Sequence, residues 1–286
     1  SSLIKSKAVI IPVFYFLSLN KGEFLKDQDR KDAIYWFHNA LIWGRYAGQT
    51  DQKLEEDLNA VKQKDTWSSL MSKIKDQTMS SKVSWESTIG LLDSVKVDEV
   101  GVKERVSSLS TRSIKRESKL QALNYVVSMC DLTTLEGEDT EGKIHQMTAK
   151  AIRPDPTDDD VPSAAAVCVY PSLVSTAKEI IGTSNVKVAS VSSYFPSGQV
   201  PIESKLLDTQ YAIDEGADEI DIVINRKAFF EGDYRKVFDE IVALKEACGD
   251  KHLKTILEVG ELRTYDNIKK ASLIALGAGS DFIKTS

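Results

Sequence analysis

Cysteine and histidine are scarce in this 286-residue chain, with three of each. Cys130, Cys168 and Cys248 are odd in number and far apart, which excludes a disulfide framework as the source of stability and points to a reducing, cytoplasmic compartment. His38, His145 and His252 form no metal-ligand spacing, so zinc chemistry is not expected. The apolar run at 8–17 is too short to cross a bilayer. Lys5 and Lys7 precede it as in a signal peptide, but no small-x-small cleavage site follows, so a buried helix or strand is the expectation and no membrane partner is implied. Basic residues are also in deficit: 37 against 43 acidic ones leave a net charge of -6, which argues against broad nucleic-acid binding.

What is present divides into two unlike parts. At 42% apolar content the chain can bury one large core or two modest ones. Residues 14–46 concentrate the aromatics, among them Tyr35, Trp36, Phe37, Trp43 and Tyr46. From Asp29, a suitable N-cap, Ala33, Ile34, Phe37, Ala40 and Leu41 recur at three- and four-residue spacing, and Gly48 supplies a left-handed stop. Leu54, Leu58 and Val61, then Trp67, Leu70, Met71 and Ile74, give two further short amphipathic faces. The expectation is a small helical region over 1–80 and a Ser-, Lys- and Thr-rich junction over 81–118. A second domain over 119–286 follows, entered by a helix from about Lys115 to Val126. Nothing in the first region pairs a nucleophile with a base. Arg45, beside Gly44 and Gly48, could meet a phosphate, but an arginine near a helix C-terminus more simply complements the helix dipole.

Beyond residue 126 the pattern becomes short apolar runs separated by helical stretches. Strands are expected at 127–131, 165–169, 186–191, 219–224, 254–258 and 281–284, with a helical turn starting at Pro171, a helix ending at Gly182 and another from Tyr265 to Leu276. Repeats of roughly 20 to 35 residues with nearly continuous apolar strands mean parallel βα units covered on both faces. An open nucleotide-binding sheet would advertise a glycine-rich first turn, and Asp131-Leu132-Thr133-Thr134-Leu135 is no such turn. The fold class expected is therefore α/β, a (β/α)8 barrel cut off after its sixth strand and preceded by the helical region. Its open edges would favour association with another chain, a second copy included.

Ionisable groups gather on these strands. Asp131 is read as ending the first strand, Cys168 lies in the second, Asp221 in the fourth, Lys254 opens the fifth and Lys284 ends the sixth. Each buried charge carries a desolvation cost, so five on one sheet are hard to explain as stability devices. Two amines in a low-dielectric pocket suppress each other's protonation, and a neutral lysine can form an imine with a carbonyl. The pairing proposes a class I aldolase, with Lys284 as nucleophile and Asp221 as proton shuttle. Two plainer readings stand beside it: Lys254 and Asp221 as an internal ion pair, and Cys168 as a small packing residue.

The ordered motifs Asp131-Leu132-Thr133-Thr134-Leu135, Ala166-Val167-Cys168-Val169-Tyr170-Pro171, Gly216-Ala217-Asp218-Glu219-Ile220-Asp221, Leu253-Lys254-Thr255-Ile256-Leu257-Glu258 and Asp281-Phe282-Ile283-Lys284-Thr285-Ser286 resemble the eukaryotic-type deoxyribose-phosphate aldolases, over about residues 90–286. The resemblance implies Lys284 as Schiff-base lysine, Asp221 as acid/base, Lys254 as the amine orienting both, and Asp131, Thr134 and Cys168 as pocket wall. It implies reversible cleavage of 2-deoxy-D-ribose 5-phosphate to glyceraldehyde 3-phosphate and acetaldehyde, in deoxyribonucleotide and carbohydrate breakdown, with no metal or cofactor. The family's strand-seven lysine and strand-eight phosphate groups have no counterpart here, so impaired activity is expected. Residues 4–75, through Asp29-Arg30-Lys31-Asp32 and Lys53-Leu54-Glu55-Glu56-Asp57-Leu58, resemble the helical part of the DUF262 family of DNA-restriction systems without its nucleotide-handling motif. A non-catalytic partner-binding or structural protein, or a restriction-system component, is the alternative reading.

Overall fold

Alternation along the strands decides which side chains meet. In the computed structural model, which describes residues 85–285, six strands form one parallel sheet in sequence order. They are β1 (Asp131–Thr133), β2 (Ala166–Val169), β3 (Lys187–Ser192), β4 (Glu219–Val223), β5 (His252–Ile256) and β6 (Phe282–Lys284). Every neighbouring pair is parallel, with Val167 opposite Val188, Asp221 opposite Lys254, and Ile256 opposite Lys284. This is the α/β, six-stranded partial barrel expected of the chain. The described residues belong to one compact unit, Val83–Ser286. The N-terminal readings, from the helix at Asp29 through Arg45 to the DUF262-like segment, lie outside the described residues.

Successive strand residues point to opposite faces, and the buried apolar residues divide accordingly. Val167, Val169, Val188, Ile220, Ile222 and Leu253 lie in the large core shared with the helices. Cys168, Ala189, Val191, Val223 and Ile256 form a separate small cluster on the inner face. Burial of each of the valine, leucine and isoleucine side chains among them contributes about 1.5–3 kcal/mol.

The covering helices start and stop where local chemistry dictates. Before β1 come α1 (Trp85–Leu92), α2 (Glu99–Ser110) and α3 (Arg116–Ser128). Between the strands lie α4 (Glu141–Ile152), α5 (Val174–Ile181), α6 (Ile202–Asp214), α7 (Arg226–Phe230), α8 (Tyr234–Cys248), α9 (Val259–Leu262) and α10 (Tyr265–Gly277). Thr140, Asn225, Asp233 and Thr264 cap α4, α7, α8 and α10 by accepting backbone N–H bonds in the first turn. Pro171 opens a 3-10 turn ahead of α5, which stops at Gly182 with φ 52°, a conformation that favours glycine. Trp85 of α1 packs edge-on against Phe238 of α8 at 5.6 Å. Gly277 lets α1 and α10 approach closely, since a Cβ there would lie within 2.3 Å of Thr88 Oγ1. In α2 and α3 no residue is buried.

Two boundaries differ from expectation. The run 127–131 is not the first strand: Val127 and Ser128 complete α3, and Asp131 opens β1 rather than ending it. The apolar pair Val126-Val127 extends the preceding helix because helical hydrogen bonding is already established when the chain reaches it. The fifth strand starts at His252, so Lys254 occupies its middle, opposite Asp221, rather than its start.

Ile220 is fully buried on the helix-facing side of β4, whereas Leu207 on α6 is 73% exposed. Ile220→Ala is expected to lower the unfolding free energy by about 2–5 kcal/mol. Leu207→Ala should stay within about 0.5 kcal/mol of the parent in the same urea titration.

Candidate active site

The inner face of the sheet carries the charged residues because β4, β5 and β6 place them at alternate positions. On β4, Ile220 and Ile222 turn to the helices, and Glu219 and Asp221 turn inward with Val223. Lys254 comes from the middle of β5 and Lys284 from the C-terminal end of β6. Barrel enzymes carry their chemistry at that end of the strands.

Asp221 is fully buried, and three groups converge on it. Lys284 Nζ donates to Asp221 Oδ2 at 2.5 Å. Cys168 Sγ lies 3.5 Å from the same oxygen and 3.5 Å from Lys284 Nζ. Lys254 Nζ stands 4.0 Å from the other oxygen, Oδ1, which has no hydrogen-bond partner. Lys254 instead contacts Asp131 Oδ2 and Glu219 Oε2, both at 2.5 Å. Of the six residues singled out in the sequence, five therefore meet in one cluster. Thr134 is placed otherwise: its hydroxyl donates to Asp139 Oδ1 at 2.9 Å, and its backbone N–H bonds the Cys168 carbonyl. It anchors the turn after β1.

The electrostatics depart from the sequence reading on one point. Mutual suppression of the two amines was expected to leave one uncharged, but both lysines are held above the ordinary lysine range. For Lys254, burial favours the neutral amine, yet the charge of Asp221 and the hydrogen bonds to Asp131 and Glu219 outweigh it. For Lys284, burial again opposes the ammonium, and the charge of Asp221 and the hydrogen bond to it overcome that cost. Carboxylates outnumber amines in the cluster, so attraction exceeds the repulsion between the two cations. Asp221 is shifted upward as well, chiefly because burial penalises its charge, although Lys284 and Lys254 pull the other way. A carboxylate that accepts a proton more readily than usual thus lies against an ammonium.

Glu219 is the member of the cluster that the sequence reading passed over. Its signal was available: it stands two residues before Asp221 on a strand, and period-2 alternation puts the two on one face. Among the described residues, no group of three or more histidine, cysteine or acidic side chains could hold a metal ion, and no helix is long and apolar enough to cross a membrane.

Cys168 is a poor nucleophile in this setting. Burial first, and the charge of Asp221 next, push its thiol up to about 12, which disfavours the reactive thiolate. Burial likewise pushes Cys248 up to about 11. Timed iodoacetamide labelling followed by peptide mass spectrometry is expected to modify exposed Cys130 first. Cys168 and Cys248 should remain protected until the chain is unfolded.

Comparison with known proteins sets this geometry in a family. A family model described as DeoC/LacD family aldolase matches residues 125–286. A Caenorhabditis elegans protein named for deoxyribose-phosphate aldolase is 45% identical over 166 residues, covering 57% of this chain and 54% of that protein. The deoxyribose-phosphate aldolase of Homo sapiens is 40% identical over 212 residues, covering 70% of this chain and 67% of the human one. The crystal structure of a Coccidioides immitis protein named for the same enzyme superposes with a TM-score of 0.52 at 31% identity, over 57% of this chain and 60% of that one. This chain therefore spans between about half and two thirds of the length of the relatives it matches. Residues 4–75 lie outside the family match, which lends the DUF262 reading no support. With the βα repeats, the inward lysines and the buried aspartate already in place, the match over 125–286 shows that this chain belongs to the DeoC/LacD family of aldolases.

Proposed function

We propose that the chain performs class I aldolase chemistry at Lys284, reversibly cleaving 2-deoxy-D-ribose 5-phosphate into D-glyceraldehyde 3-phosphate and acetaldehyde. The observation that carries the reading is the 2.5 Å contact between Lys284 Nζ and the fully buried Asp221 Oδ2. The substrate follows from the names of the relatives, and the reaction type from the pair itself.

In the resting pair the lysine is an ammonium and cannot attack. Passing its proton to Asp221 gives a free amine beside a carboxylic acid, and in a buried site a neutral pair competes well with an ion pair. The amine nitrogen then bonds to the aldehyde carbon of the open-chain sugar. Asp221 returns a proton to the carbinol oxygen, water leaves, and a protonated imine remains. The imine withdraws electrons from the adjacent carbon. Asp221, again a carboxylate, takes the proton of the 3-hydroxyl as the C2–C3 bond breaks, the electron pair passes into an enamine, and glyceraldehyde 3-phosphate departs. Asp221 returns that proton to the enamine carbon, and addition of water to the resulting imine releases acetaldehyde and restores the Lys284 ammonium beside the carboxylate. Cys168 contributes shape and a weak hydrogen bond here, and Lys254 contributes charge.

Incubation with acetaldehyde and borohydride tests this, since reduction turns the imine into a stable ethyl amine. Mass spectrometry is expected to find the adduct on the peptide containing Lys284 in the parent chain and none in Lys284→Arg. Asp221→Asn should lower the rate of adduct formation about 10²- to 10⁴-fold, the usual contribution of a positioned acid/base. Adduct on other lysines with none on Lys284 would refute the assignment.

A further inference from the structure

One distance in the cluster is longer than the charges would choose. β4 and β5 pair Asp221 directly with Lys254, yet the Lys254 ammonium stops 4.0 Å short of Asp221 Oδ1. That oxygen is buried and has no hydrogen-bond partner. An acceptor without a donor therefore faces a cation that could supply one, and an unmade hydrogen bond to a buried carboxylate is costly.

The reason is in the other two contacts. The Lys254 side chain leans toward the N-terminal ends of the strands, where Glu219 Oε2 and Asp131 Oδ2 each hold it at 2.5 Å. Glu219 sits one inward position before Asp221, opposite His252 in the strand register. The charged or titratable groups facing Glu219 are Lys254 and the His252 ring, whose Nδ1 lies 3.5 Å from Oε1, and Asp131 contacts the same ammonium.

We propose that Glu219 is a positioning residue which, with Asp131, holds the Lys254 ammonium off Asp221 and so leaves that carboxylate free to exchange a proton with Lys284. Were Lys254 to close on Oδ1, two ammonium groups would hydrogen-bond one carboxylate. The ionised form would be stabilised from both sides, Asp221 would be a weaker base, and Lys284 would keep its proton. At 4.0 Å, Lys254 still supplies positive charge without the direct bond. Glu219 would thus act through Lys254 and touch no reacting atom. This proposal rests on the aldolase reading, so its test includes a measurement that does not depend on activity.

Glu219→Gln and Glu219→Asp in the full chain provide that test, by crystal structure and by the pH dependence of acetaldehyde trapping on Lys284. In Glu219→Gln the charge is gone, and Lys254 Nζ is expected to move within hydrogen-bond distance of Asp221 Oδ1. Trapping should slow about tenfold, and its acidic limb should move to lower pH because a better-paired carboxylate protonates at lower pH. Glu219→Asp keeps the charge beside Lys254 and should trap faster than the glutamine variant, with its acidic limb nearer the parent's. If the glutamine variant does not fold, Glu219→Ser, which leaves room for water at the strand, carries the same expectations. The proposal is overturned if Lys254 stays near 4 Å from Asp221, if trapping slows with no movement of the acidic limb, or if the aspartate variant slows as much as the glutamine one. A parent chain that forms no adduct at Lys284 sinks the aldolase reading instead, and the Lys254 position in the variant structure still decides the role of Glu219.

Discussion

Asp221 is a carboxylate with no exposed surface, and the site is organised around the consequence. Removing a carboxylate from water raises the cost of its charge until either a proton or a cation restores the balance. Here the balance is struck with Lys284 on one oxygen and a more distant Lys254 on the other. The carboxylate is therefore shifted toward protonation while remaining ion-paired. That poised state exists because the surrounding sheet keeps water from the carboxylate.

The sheet provides exclusion through alternation. β2 to β5 each turn apolar side chains outward to the helices, and β4 and β5 add charged side chains to the apolar ones inward. The helix-facing layer supplies most of the burial, while the inner layer surrounds Asp221 with Cys168, Val191, Val223 and Ile256. A second buried ion pair shows the same economy away from the cluster. Lys205 Nζ lies 2.7 Å from Glu240 Oε2, and Asn225 Nδ2 donates to the other oxygen of Glu240. Asn225 also caps α7, so that network ties α6 and α8 to the loop leaving β4. Its charges are satisfied on both oxygens, in contrast to Asp221 Oδ1.

Much of the fold was legible because apolar runs of strand length recurred between helical stretches. β2 to β6 lie within a residue or two of expectation, and the end of α5 at Gly182 follows from its left-handed backbone. The first strand was misplaced for a local reason: Val126 and Val127 suit either a strand or the last turn of a helix, and the three-residue β1 behind them carries little apolar signal. Of the site, Lys284, Asp221, Lys254, Cys168 and Asp131 were recognisable as charged or polar residues on otherwise apolar strands. Glu219 was not singled out, because at the start of a strand an acidic residue looks like solvent-facing trim. Thr134 was placed at the pocket wall, but its hydroxyl is taken by Asp139, a partner five residues on that strand periodicity does not reveal.

By itself the sequence determined the parallel βα order, the inward alternation of charge on β4 and β5, and the family to which residues 125–286 belong, because periodicity and ordered motifs are properties of the chain. Only the tertiary structure decided the protonation balance. Three carboxylates from β1 and β4 surround two lysines from β5 and β6, so attraction outweighs both burial and mutual repulsion and the amines stay charged. That outcome depends on distances between strands up to 123 residues apart in the chain, and electrostatic energy follows distance through space rather than order along the sequence.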